Sequence, residues 1–189
     1  MEMKGQKIKK NLCEHFVSST ALLVESTPIF AFIETFIAGV SDTNSLITRS
    51  ITGGFIYFGG GGWIYNKGRE LYQNIFANYS KYPWLHDGIY TGLFNVFLFP
   101  IFHPFLLLED PKHLVAGTIS SAVIGAINGI PMGYFVDVFK DLFGLKECNR
   151  KYYPGIVKYS GPKIKKSLAF LTMISSLLLT EGVYNLIPD

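Results

Sequence analysis

The chain has 189 residues, of which 49% are hydrophobic and 16% charged, with a formal net charge of +3, and its mean hydropathy is +0.27. Soluble domains carry about 25% charged residues. Here the charges gather in short stretches between long apolar blocks, which excludes an ordinary water-soluble globule and predicts one membrane-embedded domain over residues 1–189. The basic residues flank the apolar blocks rather than forming a nucleic-acid patch, so no nucleic-acid partner is expected. Cys13 and Cys148 lie far apart beside basic segments, where neither a disulfide nor a zinc site is expected.

A hydrocarbon core about 30 Å thick needs about 20 apolar residues of helix. The first candidate span covers about 15–40. Lys4, Lys7, Lys9 and Lys10 before it imitate a signal peptide, but the apolar run is too long and contains Glu25, Pro28 and Glu34, so a retained span is predicted. The second, about 46–66, ends in four consecutive glycines at 59–62, which mark either close packing or a broken helix lining a cavity. The third, about 88–108, is rich in phenylalanine and holds Asn95, Pro100, His103 and Pro104. The fourth covers about 114–139 and the fifth about 167–187. The short turns at 41–45 and 109–113 pair the first span with the second and the third with the fourth as antiparallel hairpins. Segment 144–166 is a basic linker that lies on the membrane surface. The expected fold is therefore an all-α, multi-pass membrane protein, a bundle of about five transmembrane helices. Lys and Arg crowd the N-terminal tail, the loop with Lys67, Arg69 and Lys81, and the stretch 140–166, which puts the N-terminus in the cytoplasm.

Ionisable side chains inside such spans are costly and mark functional positions. Glu25 and Glu34 are nine residues apart, about 900° of helix, so they face opposite sides of the first span. Glu34 and Arg49 lie at similar distances from the turn near Asp42, so an antiparallel hairpin brings them to one depth. That pair either locks the hairpin or forms a substrate or proton site, and the two roles are compatible. Asp137 closes the fourth span at the cytoplasmic side, in a vestibule or in the headgroup zone. Asn128 is expected to hydrogen-bond a neighbouring helix, and His103 is either a proton shuttle or an inert hydrogen-bonded residue. Gly125, Gly129 and Gly133 form a smooth stripe for close helix packing, within the chain or between copies. No catalytic set, nucleotide loop, metal motif or cofactor motif is present in the sequence, so an enzyme is not expected and any pumping must draw on an ion gradient.

Two blocks of sequence carry a resemblance. The first is Ile33-Glu34-x-Phe36-x-x-Gly39-x-Ser41 followed by Ser45 and Arg49, with Tyr65 through Arg69-Glu70-Leu71 at the exit of the second span. The second runs from Ser120-Ser121 through Gly129 to Gly133-Tyr134-Phe135-x-Asp137 and Leu142-Phe143. In these blocks, over about residues 15–143, the chain resembles the bacterial L-alanine exporter family. The resemblance implies a four-helix, multi-pass plasma (inner) membrane exporter of L-alanine, driven by the proton gradient and self-associating. The fifth span, the long glycine run and Glu25 are departures from the family pattern.

The expected function is export of L-alanine or a related small neutral amino acid by proton antiport. In this reading Arg49 holds the substrate carboxylate, Glu34 meets the ammonium group or carries the coupling proton, and Asp137 serves the cytoplasmic mouth. The partners are the amino acid, protons, membrane lipid and further copies of the chain. The rival from another class is a membrane scaffold or assembly protein, and a lipid-modifying enzyme ranks behind it.

Overall fold

The computed structural model describes residues 2–37, 41–76, 82–102 and 111–186, and within these all regular structure is helical. Seven α-helices appear there: α1 (Glu2–Phe32), α2 (Asp42–Phe58), α3 (Gly61–Phe76), α4 (Pro83–Phe102), α5 (Pro111–Leu142), α6 (Gly155–Lys158) and α7 (Pro162–Asn185). A π-helical turn, Ile33–Ile37, extends α1 and carries Glu34.

The expectation of about five membrane helices is corrected here. Seven segments form, and among the described residues three stretches are long and apolar enough to cross a membrane: Ile8–Phe36, Thr118–Leu142 and Pro162–Asn185. The second expected span fails because its glycines break it. Gly60 adopts a positive φ of 78°, which glycine tolerates without steric cost, and it divides α2 from α3. The third, 88–108, is helical as far as Phe102 within α4, and its remainder lies outside the described residues.

Local chemistry sets the other boundaries. Ser41 caps α2, accepting from the Asn44 amide. Gly144, at φ 72°, ends α5, with the Leu145 amide on the Lys140 carbonyl and the Gly144 amide on that of Asp141. This Schellman turn reverses the chain and sends the next loop back across the end of the bundle. Pro162 opens α7, where its missing N–H costs nothing.

Side-chain contacts fix the directions. α2 and α3 both run antiparallel to α1, since Ser45 meets Glu34, Thr20 meets Tyr57 and Lys67 meets Glu14. α4 opposes α3 through Tyr65 and Thr91, and α5 opposes α4 through Asn95 and Ser121. α7 returns alongside α1, with Ser176 on the Val24 carbonyl and Tyr184 on Ser45. The bundle thus has a hairpin end, near Glu34 and Tyr184, and a basic end, near Lys67 and the 143–161 loop.

A core of Val17, Leu22, Tyr65, Val136 and Phe139 lies beside buried polar groups. The interior holds Ser18, Ser19, Glu25, Asn66, Arg69, Asp87 and Asn128, while Phe97, Ile127 and Leu177 are each more than two-thirds exposed, at 74%, 68% and 69%. Apolar surface on this scale is of the kind that membranes or protein partners cover.

The most extensive helix contact joins α4 to α5. It depends on glycine at five positions. A Cβ at Gly129 would lie 2.5 Å from the Thr91 Cβ and 2.6 Å from the Asp87 carbonyl oxygen. One at Gly133 would strike the Asp87 carboxylate, one at Gly125 the Asn95 amide, and Gly88 and Gly92 meet the facing backbone of α5 in the same way. The glycine stripe is therefore filled within the chain, and contact between copies has to use another face. Gly129→Leu is expected to destabilise the fold by at least the ~1–3 kcal/mol of overpacking, read as a lower melting temperature in detergent. Gly182→Leu, where a Cβ meets open space, should melt close to the parent.

Candidate functional site

Charged side chains gather at both ends of the bundle. At the hairpin end Arg49 pairs with Glu34, as residue counting around the turn anticipates. The Ser45 hydroxyl donates to the second Glu34 oxygen at 2.6 Å, and Tyr184 reaches the same hydroxyl at 3.0 Å. The Arg49 guanidinium lies 5.0 Å from the centre of the Phe30 ring, a cation–π distance. Its Nε is buried with no hydrogen-bond partner.

At the basic end, four side chains form a closed ring of alternating charge. Arg69, on α3, donates from Nη1 and Nη2 to the two Asp137 oxygens at 3.1 and 2.8 Å, and from Nε to Asp87 at 2.7 Å. Arg150, on the loop after α5, donates from Nε to Asp137 at 2.7 Å and from Nη2 to Asp87 at 2.5 Å. Gln73 adds a further donor to Asp87 at 2.6 Å. Bidentate charge-assisted bonds of this kind are the strong class. Arg69 and Asp87 are almost wholly enclosed, at 2% and 0% side-chain exposure, whereas Asp137 and Arg150 remain 24% and 15% exposed. These two line a cavity of about 230 Å³ together with Gln73, Lys140 and Asn149.

A second polar cluster supports the ring. Lys140 donates to Asn66 at 2.6 Å and to Glu70 at 2.9 Å, and Lys67 bridges Glu70 and Glu14. Burial acts to raise the Glu70 pKa, but the bonds to Lys140 and Lys67 outweigh it and hold the carboxyl below its ordinary value. The loop that carries Arg150 is pinned on either side. Cys148 is buried and unbonded to the other cysteine, and the Tyr153 hydroxyl donates to Asp141 at 2.5 Å. Burial, reinforced by that bond to a carboxylate, pushes the Tyr153 phenol up.

Between the ends, Glu25 faces α5, where Asn128 donates to its Oε2 at 3.2 Å; its Oε1 is buried without a partner. Glu25 and Glu34 do occupy different faces, one toward α5 and the other toward α2. His103 lies outside the described residues. Among the described residues, no group of three His, Cys, Asp or Glu side chains is arranged to hold a metal. Asp87, Arg69 and Arg150 escape the sequence reading, which placed the third span one residue after Asp87 and took both arginines as topology signals. Acids in an otherwise basic end were the available clue.

Comparison with family models, with curated proteins and with solved structures finds no match for this chain.

Removing one member of a buried ion network leaves its partners uncompensated. Arg69→Gln should cost about 3–5 kcal/mol of stability, measured as a depressed melting temperature of the purified protein. Glu70 allows a pH test. A carboxyl held low in the folded state stabilises fully above its ordinary pKa and loses that contribution as pH falls through the folded value. Glu70→Gln should therefore melt lower than the parent at neutral pH, and the gap should close below about pH 4.

Proposed function

We propose that the chain is a membrane-embedded secondary transporter that exports L-alanine or a related small neutral amino acid by proton antiport. The resemblance to the L-alanine exporter family suggests the substrate. Three helices long and apolar enough to cross a membrane, and the apolar exterior of the bundle, support insertion.

The observation that carries the reading is the separation of charge into two neutral sets. Glu25 and Asn128 share one level through their hydrogen bond. Glu34 lies nine residues beyond Glu25 on its helix, and Asp137 nine residues beyond Asn128 on the antiparallel one. At 1.5 Å per residue the two sets are about 27 Å apart, close to the ~30 Å of a hydrocarbon core. A molecule with one positive and one negative group finds complementary partners at either face. At the hairpin end Arg49 holds the substrate carboxylate, its Nε supplying an unused donor, and Glu34 meets the ammonium group or carries the coupling proton. Asp137 serves the mouth at the basic end, which faces the cytoplasm of a plasma (inner) membrane protein under the positive-inside rule. Self-association uses a face other than the α4–α5 stripe.

The test is flux of labelled L-alanine from liposomes reconstituted with the full chain, with and without a pH gradient. Flux should depend on the gradient, Glu34→Gln should lose that dependence, and Arg49→Lys should fall at least tenfold, the loss expected when a bidentate carboxylate contact worth about 1.5–3 kcal/mol is reduced to a point charge. Normal transport by both variants would sink the role assignment. A folded parent protein that moves no small neutral amino acid would shift the reading to a scaffold.

A further inference from the structure

Building on the transporter reading, we propose that the Asp137–Arg150 pair is the loading site for the amino acid at the basic end, with Asp137 taking the ammonium group and Arg150 the carboxylate.

Of the four ring members, Arg150 is the one whose departure leaves each acid with another donor, and the cation of an incoming ligand can make up the lost charge. When it turns away, Asp137 keeps both bonds to Arg69, and Asp87 keeps Arg69 Nε and Gln73. Arg69 has no such freedom, because it joins both acids from full burial. Arg150 is also mounted differently. It sits on a loop rather than on a helix, with the loop backbone fixed by buried Cys148 and by the Tyr153–Asp141 bond. Its side chain therefore moves while its anchor stays. Asp137 and Arg150 border the same cavity, and the other acid, Asp87, does not.

Charge balance selects the ligand class. Two arginines and two aspartates sum to zero, and an inserted zwitterion leaves the sum unchanged: its ammonium replaces the guanidinium on Asp137 while its carboxylate accepts the freed guanidinium. A lone amine or a lone carboxylate would leave Arg150 or Asp137 without an opposite charge, in a cavity that Lys140, Lys146 and Glu147 also line. Size adds a second filter. The cavity, about 230 Å³, falls below the roughly 300–1,000 Å³ of sites for drug-sized ligands, so it suits a small side chain. The bundle then offers one acid–arginine pair at each face, Asp137–Arg150 and Glu34–Arg49.

The experiment is competition against labelled L-alanine uptake in oriented proteoliposomes, with L-alanine and L-alaninamide, which lacks the carboxylate, added on the basic-end side. The parent should prefer alanine over alaninamide on the order of 10- to 100-fold, the range set by a charge-assisted hydrogen-bonded contact. Arg150→Gln should bring that ratio to within about threefold of unity, as expected when the contact is lost, and Arg150→Lys should recover part of it. A residue that merely supports the fold would weaken both ligands alike and leave the ratio intact. An unchanged ratio in Arg150→Gln, or in Arg150→Lys should the first variant not fold, overturns the loading site while the transporter reading stands. A folded parent that responds to neither glycine, L-alanine nor L-serine overturns both.

Discussion

The guanidinium of Arg69 is the constraint around which the basic end is arranged. It is 2% exposed, so it requires carboxylate partners that bring their own helices with them. Asp87 comes from α4 and Asp137 from α5, and both must reach α3 at one level. That demand explains the glycine at 133. The Asp87 side chain passes across the face of α5 at the point where any Cβ on residue 133 would collide with it. The tight α4–α5 contact and the buried ion network are thus one arrangement, and neither persists without the other. The same level also receives Arg150, because the Schellman turn at Gly144 folds the loop back over the helix end instead of letting it run outward.

What the sequence disclosed follows from the range of the interaction concerned. The Glu34–Arg49 pair was legible because a short turn fixes the register of a hairpin, and counting residues from the turn is then enough. The glycine stripe was legible as a packing surface for a similar reason, since a four-residue spacing defines one helix face. The identity of its partner was not, because nothing local distinguishes α4 of the same chain from a second copy. Of the two readings of the glycine run, close packing is met where Gly62 lies directly on Ser19 of α1; the helix also divides at Gly60, but neither cavity found among the described residues is lined by the run.

The ion ring stayed hidden because its members come from positions 69, 87, 137 and 150, whose meeting depends on tertiary structure alone. Hydropathy reasoning also works against finding it. A basic residue at the end of an apolar block already has an explanation in membrane topology, so Arg150 raised no further question and Arg69 entered only as part of a resemblance motif. The count of spans failed on the opposite assumption, that apolar length alone defines a membrane helix. Residues 46–66 have the length, yet the chain folds them as the last part of one helix and the first part of the next.

Charge neutrality unites these features. At each end an arginine–carboxylate set balances itself, one as a single pair and the other as a ring of four. Glu25 stands outside that balance. It lies midway, 5% exposed, with one oxygen on Asn128 and, among the described residues, neither a partner for the other nor a cation bonded to it. The three acidic levels therefore differ in kind. The outer two, at Glu34 and Asp137, are paired with arginine, whereas the central one is held by an amide and by burial. Movement of any ion or zwitterion between the ends must pass this level, and the helices α1 and α5 that meet there are the same two that carry the acids at either face.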